Sequence, residues 1–118
     1  MNPTEKYNAR ADEIDSLLCV GLDADLSKLP QDFQTMLQPQ FSFNKYIIDQ
    51  THRYTAAYKL NLAFYEARGE AGMTELKLTI DYLREKHPEI FRKTWISWKK
   101  HKDKKEQRML DYFNKEKN

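Results

Sequence analysis

Two short apolar runs constrain this chain more than anything else in it. "LLCVGLD", Leu17 to Asp23, and "AAYKLNLAFY", Ala56 to Tyr65, have the length and apolar density of buried strands, and helix-period stretches flank both. Before the first, Tyr7, Ala11 and Ile14 recur at helical spacing between a helix start at Pro3 and Thr4 and a stop at Asp15 and Ser16. Between the runs, "ADLSKLPQDFQTMLQPQ" reads as a loop with one helical turn, and Phe43, Tyr46, Ile47 and Tyr54 mark a second helix to about Thr55. After the second run, "EARGEAG" reads as a loop, and Met73, Leu76, Ile80 and Leu83 form the apolar stripe of a third helix that ends at His87 and Pro88. "PEIF" then opens a third strand. Strands buried on both faces and alternating with helices imply parallel pairing, hence an α/β barrel or a doubly wound sheet. "GLDADL" holds one glycine where a dinucleotide fingerprint or a phosphate loop needs several, which sets those classes aside.

Composition adds a boundary. At 118 residues the chain suits one modest domain, and no apolar stretch approaches the roughly 18 residues of a membrane span. The polar opening "MNPTEKYNARADEIDS" is unlike a secretory leader, and a single cysteine, Cys19, cannot form an internal disulfide; both fit a cytoplasmic setting. The net charge of +2 conceals a division. From Arg92 to Asn118 ten Lys and Arg face four Asp and Glu, whereas residues 1–91 hold ten against fourteen. Both tryptophans, Trp95 and Trp98, fall after this point and all three glycines before it. The expected division is therefore a barrel-like body over residues 1–91 and a basic tail, helical or disordered, over residues 92–118.

Polar residues near strand ends carry the chemical information. In a β/α barrel the reactive groups gather where strands end, and Asp23 ends the first strand. Lys59 and Asn61, two apart, share one face of the second strand, and Tyr58, Leu60 and Leu62 take the other. A lysine facing a barrel interior is either a working group, a residue supported by a buried carboxylate, or a solvent-side residue of a strand that begins later; periodicity leaves these open. Cys19 is expected as a core thiol. His52, His87 and His101 lie in unrelated contexts without metal-ligand spacing. Asp25 reads as a turn former beside Asp23, and Glu66 and Arg68 as loop residues after the second strand.

Four segments taken together, "LCVGLDADLSKLP", "FNKYIIDQT", "AAYKLNLAFYEARGEAG" and "LREKHPEIF", resemble the N-terminal part of bacterial orotidine 5′-phosphate decarboxylases of the longer-chain branch, over about residues 1–91. The resemblance implies the N-terminal portion of a β/α (TIM) barrel, about two to three βα units. It also implies conversion of orotidine monophosphate to UMP and CO2 in pyrimidine synthesis, a homodimer, and no metal or cofactor. Carried onto this sequence, it makes Asp23 a ribose contact and Lys59 the first member of a Lys-Asp-Lys-Asp charge network, with Asn61 beside it. Such a network suits the chemistry: loss of CO2 leaves a carbanion-like centre that fixed positive charge stabilises, and alternating carboxylates keep the lysines charged.

The third strand departs from that pattern. Where the resemblance implies an Asp-x-Lys-x-x-Asp motif, the chain reads "RKTWISWKKHKDKK"; Asp103, Lys105 and Arg108 come nearest, with the wrong charge at the last position. The expectation is a truncated or frameshifted form, inactive alone and prone to aggregate through its uncovered sheet edge. A fragment that assembles with another chain is the alternative. Nucleic-acid binding by the tail, with Trp95, Trp98, Tyr112 and Phe113 among its cations, is the lesser reading, because such runs are more often solvated helix faces.

Overall fold

The computed structural model describes residues 2–95; the expectations for a helical or disordered tail, for His101 and for the Asp103 to Arg108 stretch lie outside them. The first helix, α1 (Pro3–Ile14), is started by a capping box. The Asn2 side chain accepts from Glu5 N, the Glu5 carboxylate accepts from Asn2 N, and Pro3 occupies the first turn. Asp15 ends it in the left-handed conformation, φ 52°. From α1 the buried Arg10 donates to the carbonyls of Thr55 (3.4 Å) and His52 (3.0 Å), tying this helix to the entry of the second strand.

Three strands, β1 (Cys19–Gly21), β2 (Ala57–Asn61) and β3 (Phe91–Trp95), form one parallel sheet in the order β1-β2-β3. The register pairs Cys19, Val20 and Gly21 with Ala57, Tyr58 and Lys59, and carries Ala57 to Asn61 onto Phe91 to Trp95. Thus β3 runs four residues past the compositional break at Phe91. Between β1 and β2 lie a 3-10 turn at Leu26–Lys28, the short α2 (Gln31–Gln34), α3 (Pro39–Thr51) and a second 3-10 turn at His52–Tyr54. Between β2 and β3 lie α4 (Leu62–Glu66) and α5 (Gly69–Lys86).

Tyr58 and Leu60 of β2 bury one sheet face against Ile48 of α3, Leu62 and Tyr65 of α4, and Leu76, Ile80 and Leu83 of α5. The stripe expected on the third helix is thus largely the core face. Burial of these apolar groups holds the helices on the sheet.

Two strand expectations need correction. The first run is not buried on both faces: Leu17 is 78% exposed, Leu18 45%, and Cys19 is an exposed thiol instead of a core one. Only one face of β1 meets helices, and among the described residues its outer edge pairs with no strand. The second run does not stay extended to Tyr65. Its strand stops at Asn61, whose side-chain Oδ1 accepts from Ala63 N (3.1 Å) and so starts α4. The density of apolar residues in "LAFY" reflects a helix packed on both sides, which alternation alone does not separate from a strand. The expected loop "EARGEAG" is likewise divided between the end of α4 and the start of α5, with Gly69 at φ +65° turning the chain between them.

Candidate functional site at the strand ends

β1 and β2 end side by side. Gly21 is the register partner of Lys59, and the ladder continues one step further through Leu22 N–H donating to Lys59 O at 2.9 Å. Asn61 is the last residue of β2, and Asp23 lies two residues past the end of β1 in the loop that follows it. Gly21, Lys59 and Asn61 share the sheet face opposite the one that Tyr58 and Leu60 bury. On this open face Gly21 and Lys59 are exposed and Asn61 is half-buried, as is Asp23 just beyond.

Gly21 has a steric role. A Cβ at that position would lie 3.1 Å from Asp23 Oδ1, so the Asp23 carboxylate leans back over the glycine. A side chain at residue 21 would push it away.

The third strand brings no carboxylate to this face. Its sequence is "FRKTW", and the register sets Lys93 opposite Lys59 and Trp95 opposite Asn61. Of the neighbours, Asp25 accepts from Ser27 N and Ser27 Oγ, both at 2.9 Å. These bonds hold its carboxyl below the usual carboxylate range and make it the cap of the 3-10 turn. Arg68, read from sequence as a loop residue, forms an ion pair with Glu75 of α5 at 2.5 Å. A cavity of about 400 Å³ between the starts of α3 and α5, lined by Leu37, Gln38, Arg68, Thr74 and Glu75, touches none of Asp23, Lys59 and Asn61.

Two further residues escaped the sequence reading. Glu75 is 2% exposed; its Oε1 accepts from Phe41 N at 3.1 Å, capping α3 from a neighbouring helix where Gln38 supplies no side-chain cap. Tyr65 is fully buried and donates its hydroxyl to Leu22 O, the carbonyl preceding Asp23. Glu75 lies off the apolar stripe of Met73, Leu76, Ile80 and Leu83, so the helical spacing gave no signal for its burial. Tyr65, placed by sequence at the end of a strand, offered none.

His52 and His87 sit at the C-terminal ends of α3 and α5, as helix-end histidines, and their rings stack with centroids 4.3 Å apart, a contact their separate sequence contexts did not suggest. No group of three or more His, Cys, Asp or Glu able to hold a metal ion occurs among the described residues.

No protein-family model matches the chain. Individual proteins do. Over 76 residues it is 54% identical to the orotidine 5′-phosphate decarboxylase of Christiangramia forsetii, covering 64% of this chain and 28% of that protein. Over 90 residues it is 41% identical to that of Leptospira interrogans, covering 76% of this chain and 33% of the relative. An orotidine-monophosphate-decarboxylase crystal structure from Toxoplasma gondii aligns with a TM-score of 0.65 at 31% identity, over 76% of this chain and 29% of that one. The Plasmodium berghei orotidine 5′-monophosphate decarboxylase aligns with the same TM-score of 0.65 over 95% of this chain and 48% of its own, at 21% identity, a likeness of fold alone. The chain is thus similar to orotidine 5′-phosphate decarboxylases over most of its described residues, has part of their barrel fold, and spans about 28% of the length of the relative from Christiangramia forsetii. None of the helices among the described residues is long and apolar enough to cross a membrane.

Proposed function

We propose that this chain is the N-terminal part of an orotidine 5′-phosphate decarboxylase, and that Asp23, Lys59 and Asn61 are its share of the site. The observation that supports the reading is their placement: Lys59 and Asn61 share the sheet face opposite the one that Tyr58 and Leu60 bury, and Asp23 follows the end of the adjacent parallel strand by two residues. Chemistry in a β/α barrel is carried at that end. In this reading Asp23 accepts hydrogen bonds from ribose hydroxyls of orotidine monophosphate. The Lys59 ammonium contributes fixed positive charge beside the carbon that loses CO2, and Asn61 combines capping of α4 with a place at the rim.

Such a site is incomplete on this chain. A lysine beside a forming carbanion works best in a partly dry cavity with carboxylates that keep it charged and aligned. Here β3 supplies Lys93 level with Lys59 and no acid. The chain alone is therefore inactive, and the open sheet face and β1 edge are where the rest of a barrel would sit. The compositional break near Phe91 accords with a disrupted reading frame, in which residues 92–118 no longer follow the family's sequence although Arg92 to Trp95 still pair with β2. The reading also carries a cytoplasmic setting and, for the completed protein, the homodimer that the family resemblance implies. Nucleic acid has no part in it.

The test is coexpression with a polypeptide that supplies the missing strands, followed by assay of UMP formation. Activity from the pair, none from the 118-residue chain alone, and its loss in Lys59→Ala are expected. A folded pair that makes no UMP overturns the assignment, and UMP formation by the purified chain alone overturns the claim that it is incomplete. Sequencing the gene through and past the Phe91 codon in all frames separates the two origins of the tail. An Asp-x-Lys-x-x-Asp stretch in a shifted frame marks an accident, and its absence marks a chain that functions by assembly.

A further inference from the structure

The peptide that leads into Asp23 is held from two sides. Leu22 N–H donates to Lys59 O at 2.9 Å, and Leu22 C=O accepts the Tyr65 hydroxyl proton. Leu22 C=O and Asp23 N–H belong to one planar unit, so fixing the carbonyl fixes the plane from which the Asp23 side chain departs. Tyr65 is itself immobilised: its oxygen accepts from Asn44 Nδ2 at 2.9 Å. That amide also donates to Thr79 Oγ1 at 3.0 Å, while Asn44 Oδ1 accepts from Gln40 Nε2 at 3.0 Å. The Thr79 hydroxyl in turn donates to Glu75 O at 2.8 Å. Gln40, Asn44, Tyr65 and Thr79 are all buried, and they tie α3, α4 and α5 to the end of β1.

A buried hydroxyl is costly unless it bonds, and packing alone would be served as well by phenylalanine. Two bonds distinguish tyrosine here, the one accepted from Asn44 Nδ2 and the one donated to Leu22 O, and only the second reaches the peptide that leads into Asp23. Burial, with a smaller contribution from the nearby Asp23 charge, raises the phenol pKa above its ordinary value, so the hydroxyl keeps its proton at neutral pH.

We propose that Tyr65 is a positioning residue for Asp23, orienting that carboxylate through the Leu22–Asp23 peptide for its contact with a ribose-bearing substrate. The substrate half of this inference rests on the function proposed above; the coupling of Tyr65 to Asp23 does not.

The experiment is NMR on the isotopically labelled 118-residue chain, comparing Tyr65→Phe with Thr79→Val. Tyr65→Phe keeps the ring and removes the donor. It is expected to shift the Leu22 carbonyl and Asp23 carboxylate resonances and to lower about tenfold the exchange protection of the Leu22 amide, which donates to Lys59 O. Thr79→Val breaks the same network on its far side and leaves the Tyr65–Leu22 bond, so the Asp23 signals stay in place even though the fold loses stability. Asp23 signals unmoved by Tyr65→Phe, or moved equally by both variants, overturn the proposal. If Tyr65→Phe does not fold, the unmodified chain decides. A through-bond coupling between the Tyr65 hydroxyl proton and the Leu22 carbonyl carbon supports it, and absence of that coupling overturns it. No outcome depends on turnover. A completed barrel that makes no UMP would remove the substrate role of Asp23 and leave this measurement standing.

Discussion

Gly72 of α5 lies directly against the backbone of Tyr65 in α4: a Cβ built on Gly72 would fall 2.0 Å from Tyr65 O and 2.8 Å from Arg68 Cβ. That closeness seats α5 on α4 and holds Tyr65 beneath the end of β1. Because backbone cannot give way as a flexible side chain can, Gly72→Ala is expected to destabilise the chain by about 3 kcal/mol in urea unfolding. Gly69→Ala has open space, and its cost is that of a left-handed backbone alone, about 1 kcal/mol. Equal losses in the two variants would show that the contact is looser than described.

The Arg68–Glu75 pair is asymmetric, with side-chain exposures of 23% and 3%. Arg68→Met strands a buried carboxylate and is expected to cost about 3 kcal/mol. Adding Glu75→Gln to that variant recovers part of the loss, since the uncompensated charge is gone and Phe41 N keeps an acceptor. A double-mutant cycle on urea midpoints measures this, and a double variant weaker than Arg68→Met alone contradicts it.

Burial, and next the charge of His52 stacked on it, lower the His87 pKa, while Glu89 and Asp49 oppose the shift less strongly. The folded state therefore takes up a proton at lower pH than the unfolded chain, whose imidazole titrates near 6.5. This contribution to stability is complete above about pH 6.5 and is lost as pH falls through the lower, folded-state value. Thermal unfolding of the chain and of His87→Gln across this range checks the sign: the variant should show a shallower decline on acidification.

Cys19 lies on the same open sheet face as Gly21 and Lys59, and its thiol is exposed. One rapid equivalent of reaction with a disulfide reagent is expected from the native chain, and protection once a polypeptide carrying further barrel strands is bound. A thiol that reacts equally fast in both states would place the partner elsewhere.

On the proposed function, Lys59→Ala in the completed assembly would remove fixed positive charge from the reacting carbon and should lower kcat by about 10²–10³. Asp23→Asn weakens a substrate contact and should act more on KM. Steady-state UMP formation separates the two, and a Lys59→Ala enzyme with unchanged kcat would remove Lys59 from the chemistry.

How much of this was legible beforehand varies by element. The helix over Pro3–Ile14 announced itself through Pro3, Thr4 and apolar spacing, and the one over Pro39–Thr51 through apolar spacing alone, both local properties of the chain. The parity of Lys59 and Asn61 against Tyr58 and Leu60 was equally local, since a strand alternates whatever surrounds it. The end of β2 was not. It depends on Asn61 turning its side chain onto Ala63 N, a choice between two conformations that the apolar "LAFY" leaves open.

By itself, then, the sequence determined an α/β chain with parallel strands, a basic tail of foreign composition, and three polar residues near strand ends, because periodicity and charge are written residue by residue. Only the tertiary structure decided that Leu22 N–H bonds Lys59 O at the end of the ladder, that His52 meets His87, and that Tyr65 and Glu75 serve elements far from them in the chain. Each of these pairings joins positions well separated in sequence through register or helix packing. Such contacts depend on how separate elements dock, which no local pattern records.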